Sequence, residues 1–123
     1  MRYVARIGVD EVSAAHHLPG YPGGCARVHG HNWSFEATVG AEELDLDMVV
    51  DFALVKAVFK GLDHTCLNDD AEITAAGHRP TTERLAAVLA ERVQRVLHPL
   101  PNRPCLLSLR VRETARNEVV FTP

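Results

Sequence analysis

The chain has 123 residues, 46% of them hydrophobic and 24% charged, with a formal net charge of −3. That length fits one domain over 1–123, long enough for a core but short for a self-contained cleft, so a site shared between subunits is expected. The mildly acidic balance argues against a nucleic-acid or membrane-surface partner, and no apolar run approaches the ~18 residues of a membrane span.

Residues 2–12 alternate, with Tyr3, Ala5, Ile7 and Val9 on one face and Arg2, Arg6 and Asp10 on the other, which predicts a half-buried strand. This charged alternation does not read as a signal peptide. Residues 19–24 form a loop by their glycines and prolines. Residues 31–40 alternate again, Trp33, Phe35, Ala37 and Val39 against Asn32, Ser34, Glu36 and Thr38, and predict the second strand. Asp51 suits a helix N-cap, Val55, Val58, Phe59 and Leu62 follow at helical spacing, and Gly61 marks the helix end. Residues 63–80 look irregular. Thr81 is the expected cap of a second helix with Glu83 favourable in its first turn, and Pro99, Pro101 and Pro104 forbid continuation. Leu107, Leu109 and Val111 alternate with Ser108, Arg110 and Arg112 in a third strand, and 118–122 supply a fourth. The order ββααββ with short connections implies an α+β fold, a four-stranded antiparallel sheet with two helices on one face.

The chemistry concentrates in Ser13–Asn32. His29 and His31 are two apart, so on a strand both imidazoles face one side, and His16 can return as a third ligand after the loop. Three ligands leave a tetrahedral zinc one open position, as catalytic sites require. Zinc suits an all-imidazole set, with iron and nickel as alternatives. The bland reading of His29-Gly30-His31 alone is a strand end with two surface histidines; His16 and Cys25 nearby favour the metal. His17 points to the opposite side of an extended segment and is read as a non-ligand. Cys25 is either a fourth ligand of a closed site or a free nucleophile or base beside the metal. Cys66 and Cys105 sit among apolar residues as small packing residues, and three cysteines without a CxxC pair fit free thiols in a reducing cytoplasm. Asp63-His64 reads as a polar helix terminus, or as a loop pair in which Asp63 orients His64 as a proton donor. Glu113 can pair with Arg110 or Arg112. Its parity with Leu109 and Val111 instead places it on the apolar face, where a carboxylate accepts two parallel N–H bonds from an amidine-like edge. A bulge near residue 31 or 112 would reverse that parity.

With Ser13-Ala-Ala-His16, Cys25-Ala-Arg-Val-His29-Gly-His31-Asn32, Met48-Val-Val-Asp51-Phe52, Leu62-Asp63-His64 with Leu67-Asn68-Asp69, Pro80-Thr-Thr-Glu83 and Val111-Arg-Glu113-Thr114 in order, the chain resembles the 6-pyruvoyl-tetrahydropterin synthase / 6-carboxy-tetrahydropterin synthase family. The resemblance implies the ββααββ tunnelling fold, with sheets closing into a β-barrel in trimers that stack as hexamers, and active sites between subunits. It further implies Zn2+ on His16, His29 and His31, Cys25 as general base, and His64 oriented by Asp63 as the opposing acid/base. Glu113 would anchor a pterin substrate in a pocket lined by Thr81, Thr82 and Glu83. The bacterial branch, which the Cys-x-x-x-His-Gly-His spacing resembles most, makes 6-carboxy-tetrahydropterin from 7,8-dihydroneopterin triphosphate on the route to queuosine. The sister activity eliminates triphosphate only, and a zinc- or pterin-binding module without catalysis is the alternative of another class. His17 stands where relatives often have arginine, and Trp33 where Tyr or Phe is usual.

Overall fold

The structure, a computed structural model, describes residues 1–123. Strands β1 (Tyr3–His16) and β2 (His29–Ala41) are followed by helix α1 (Phe52–Lys60) and a two-residue strand β3 (Thr65–Cys66). Helix α2 (Thr82–Leu97) and strands β4 (Cys105–Thr114) and β5 (Asn117–Phe121) complete the chain. The sheet order is β3-β1-β2-β4-β5. The α+β fold with its antiparallel four-stranded body is as the alternation predicts. The fifth strand, β3, lies in the stretch expected to be irregular, and pairs with β1 in parallel through Ala14–Thr65 and Ala15–Cys66.

Both helices begin where their caps predict. Asp51 accepts from the Ala53 N–H at 3.0 Å, and the Thr81 hydroxyl accepts from the Arg84 N–H at 3.1 Å. Their apolar stripes pack on one sheet face, where Val55, Phe59, Leu85 and Leu89 meet Ile7, Phe35, Ala37 and Leu109 in one continuous core. The other face carries polar residues tied by ion pairs such as Arg110–Glu36 at 3.3 Å and Arg112–Glu118 at 2.8 Å.

Two irregularities correct the sequence reading. β1 does not stop at residue 12: its register against β2 shifts between Val9 and Val12, where Glu11 adopts φ 59°. One extra residue moves the following side chains to the opposite face. Ile7 faces the core before the shift, and Val12, Ala14 and His16 face it afterwards. In β4 the register shifts opposite Thr38 and Val39, so Leu106 is buried while Leu107, expected inward, is only half-buried. From Leu109 to Glu113 the expected parity holds, although the register against β5 shifts between Arg112 and Thr114.

Candidate active site

The bulge at Glu11 brings the site together. Because it reverses the facing of β1, His16 lies directly opposite His29, and Ala14 opposite His31. Directly opposed residues of an antiparallel pair share a face. The ring centroids of His16 lie 4.5 Å from His29 and 5.2 Å from His31, and those of His29 and His31 are 4.9 Å apart. One nitrogen from each ring falls within 4.8 Å of the others. Trp33 forms the floor, fully buried, edge-on to His16 and His31, with its indole N–H donating to the Ala14 carbonyl at 3.1 Å.

The outer nitrogens set the tautomers. His16 Nδ1 lies 2.8 Å from the Pro80 carbonyl and His29 Nδ1 lies 2.7 Å from the Arg27 carbonyl. A carbonyl only accepts, so each Nδ1 carries the proton and each Nε2 offers its lone pair inward, the arrangement of a metal-binding histidine with its backing hydrogen bond. Nε2 of His16 and Nε2 of His31 are buried and lack any hydrogen-bond partner. Burial depresses the pKa of His16 and outweighs the raising effect of the Pro80 carbonyl, which keeps the ring neutral and able to ligate. Buried polar atoms without partners are costly, and a cation between the three rings would satisfy them. The donor set therefore fits a zinc-type ion.

Glu113 joins this cluster. Its oxygens lie 3.6 Å from His31 Nε2 and 3.9 Å from His16 Nε2, beyond hydrogen-bonding distance, while the Thr82 hydroxyl donates to Oε2 at 3.0 Å. Parity thus places Glu113 as expected, and no pairing with Arg110 or Arg112 occurs: those arginines bind Glu36 and Glu118. Thr81 spends its hydroxyl on the helix cap, and Glu83 is exposed in the first turn.

Cys25 and the Asp63–His64 pair lie outside the three-histidine ligand group. Cys25 is exposed on a short 3-10 turn, Gly24–Ala26, and is not among the grouped ligand atoms. Asp63 and His64 do form the predicted pair, Oδ2 to Nδ1 at 2.9 Å, with His64 at φ 60° and largely exposed. They are pinned to the sheet edge: the Ser13 N–H donates to Asp63 Oδ1 at 2.9 Å, and the His64 N–H donates to the Ser13 carbonyl at 2.7 Å. The Ser13 N–H, assisted by the His64 ring, holds the Asp63 carboxyl below its ordinary pKa against the opposing effect of desolvation. An open depression of about 390 Å³ lies beside the pair, lined by Ser13, Asn32, His64 and Thr65 and reaching His31 of the cluster. Sequence reasoning missed the two carbonyls of Arg27 and Pro80 that orient the rings, since a backbone acceptor leaves no residue-type signal.

Residues 8–123 match the family described as 6-pyruvoyl tetrahydropterin synthase. A relative named 6-carboxy-5,6,7,8-tetrahydropterin synthase, from Bacillus subtilis, is 38% identical over 91% of this chain and 80% of its own length. A probable enzyme of the same name from Halobacterium salinarum is 31% identical over 91% of this chain and 82% of its own. Among solved structures, the 6-pyruvoyl tetrahydropterin synthase of Caenorhabditis elegans covers 98% of this chain and 96% of its own with a TM-score of 0.75 at 23% identity, a likeness of fold.

Proposed function

The chain belongs to the 6-pyruvoyl tetrahydropterin synthase family, and on that premise we propose that it is a zinc-dependent lyase converting 7,8-dihydroneopterin triphosphate to 6-carboxy-5,6,7,8-tetrahydropterin, releasing acetaldehyde and triphosphate. The observation that carries this reading is the convergence of His16, His29 and His31, with two buried and unbonded Nε2 atoms beside the Glu113 carboxylate. The carboxy product is favoured over the pyruvoyl one because the sequence relatives at 31–38% identity bear the carboxy name.

His16, His29 and His31 would hold the ion, and when bound it supplies a Lewis acid that acidifies the side-chain hydroxyls of the pterin and the adjacent C–H. Glu113 accepts two parallel N–H bonds from the pterin edge, held in place by the Thr82 hydroxyl. Thr81 fixes the helix start beside it, and in this reading Glu83 lines the pterin pocket. Cys25 removes a proton from the substrate side chain, and His64 exchanges one on the opposite side while Asp63 steadies its Nδ1–H.

The contacts of Asp63 and His64 run to Ser13 and not to the histidine cluster, so in this reading the pair serves the site of a neighbouring copy. Trimers with sheets closed into a barrel, stacked as a homohexamer, complete each site. No helix is long and apolar enough to cross a membrane, and we place the enzyme in the cytoplasm, in queuosine-type deazaguanine synthesis.

Cys25→Ala tests the assignment. Turnover of 7,8-dihydroneopterin triphosphate should be abolished while zinc per chain, read by plasma mass spectrometry, stays unchanged. Retained turnover removes Cys25 from the mechanism. A thiolate-to-cobalt charge-transfer band together with absent turnover in the unmodified protein favours a zinc-binding module instead.

A further inference from the structure

Beyond His16 the chain turns into the Pro/Gly loop, and the outer edge of β1 is paired by backbone only as far as Ala15, which meets Cys66. The next rung belongs to His17, and one side chain takes both of its polar groups. The His17 N–H donates to Asn68 Oδ1 at 2.9 Å, and the His17 carbonyl accepts from Asn68 Nδ2 at 3.0 Å. A primary amide carries a donor and an acceptor side by side, as a strand backbone does, so Asn68 continues the ladder after its own backbone has entered the 3-10 turn Leu67–Asp69.

This matters for the residue before it. His16 is fixed on its inner edge by the pairing with His29, and its ring is fixed by the Pro80 carbonyl. The peptide between His16 and His17 carries the His16 carbonyl on that inner edge and the His17 N–H on the outer one, so it needs an anchor on each side. Its plane sets ψ of His16, and with it the direction in which the side chain delivers Nε2. The Asn68 clamp holds that plane from the side that no strand covers.

We propose that Asn68 is a positioning residue for His16: by closing the last rung of the sheet edge on His17, it presents the imidazole to a divalent cation in one orientation. This rests on the metal reading given above. The test titrates metal-stripped full-length protein with Co2+, following the d–d absorption, and measures Zn2+ affinity by competition with a chromophoric chelator. Asn68→Ala is expected to bind about tenfold more weakly, the lower end for loss of a residue that orients a ligand, with a shifted d–d band. Asn68→Asp keeps the acceptor for the His17 N–H and should lose less than the alanine variant.

A folded Asn68→Ala protein with unchanged affinity and spectrum overturns the proposal, because a merely structural role would lower the melting temperature and leave both untouched. Should circular dichroism show the alanine variant unfolded, Asn68→Asp decides: weaker binding with a shifted band supports the clamp, and unchanged binding overturns it. Failure of the unsubstituted protein to take up either metal overturns the metal reading itself, a result separable from the others.

Discussion

Arg92→Ala should destabilise the protein in a way that depends on pH. From α2, Arg92 Nη2 reaches both oxygens of Asp70 at 2.8 and 2.7 Å, and Nε reaches Glu72 Oε1 at 2.7 Å. Arg92 and Asp70 are 23% and 22% exposed, so the pair is well shielded without being fully dry. Hydrogen bonds to charged groups contribute roughly 1.5–3 kcal/mol each, but these share one guanidinium, and Asp70 keeps the N–H groups of Glu72 and Ile73. The expected loss at pH 7 is therefore about 2–3 kcal/mol, below the ~3–5 kcal/mol for stranding a fully buried charge. Burial works to raise the Asp70 pKa, but the Arg92 bonds and the two N–H groups prevail and hold it below its ordinary 3.8. Glu72 is likewise lowered, by Arg95 and Arg92. A depressed carboxyl stabilises the fold above its unfolded pKa and loses that contribution as pH falls through its folded value. Below about pH 4 the unsubstituted protein should thus lose stability faster than Arg92→Ala, and the gap should narrow. Urea unfolding at steps from pH 7 downward reads this directly. A gap under about 1 kcal/mol at pH 7, or one constant with pH, would refute the reasoning.

Three further outcomes are expected. Trp33→Phe removes the indole N–H from the Ala14 carbonyl and opens space beneath His16 and His31, so urea unfolding should show a loss of about 1–3 kcal/mol. Glu11→Val forces a β-branched residue into φ 59° and should cost about 1–3 kcal/mol, whereas Glu11→Gly should leave stability equal or raised; the reverse order would remove the bulge from the argument. Glu113→Gln should retain bound zinc but weaken pterin binding in calorimetry, and an unchanged pterin affinity would remove Glu113 as the anchor.

Much of this architecture is legible in the sequence because its signals are local. Asp51 and Thr81 announce caps, and the period-2 runs of β2 and the end of β4 announce their facing. The His29-Gly30-His31 spacing needs only a straight strand. What escaped depends on pairing. The bulge at Glu11 has no glycine to flag it, although the apolar residues change from odd (Ile7, Val9) to even (Val12, Ala14), and that change was the available signal. β3 is two residues long and exists only because β1 offers an open edge. Leu107 reads as core because its neighbours do, and the register shift against β2 turns it away. Asp63–His64 is visible as a dipeptide, but its anchoring to Ser13 on the edge of β1 is a property of the folded sheet.

Incubating the zinc-replete protein anaerobically with 7,8-dihydroneopterin triphosphate, and identifying the products by mass spectrometry, addresses the proposed activity most directly. The zinc-lyase reading predicts 6-carboxy-5,6,7,8-tetrahydropterin together with acetaldehyde. A pyruvoyl product, or unchanged substrate with zinc bound, would contradict it.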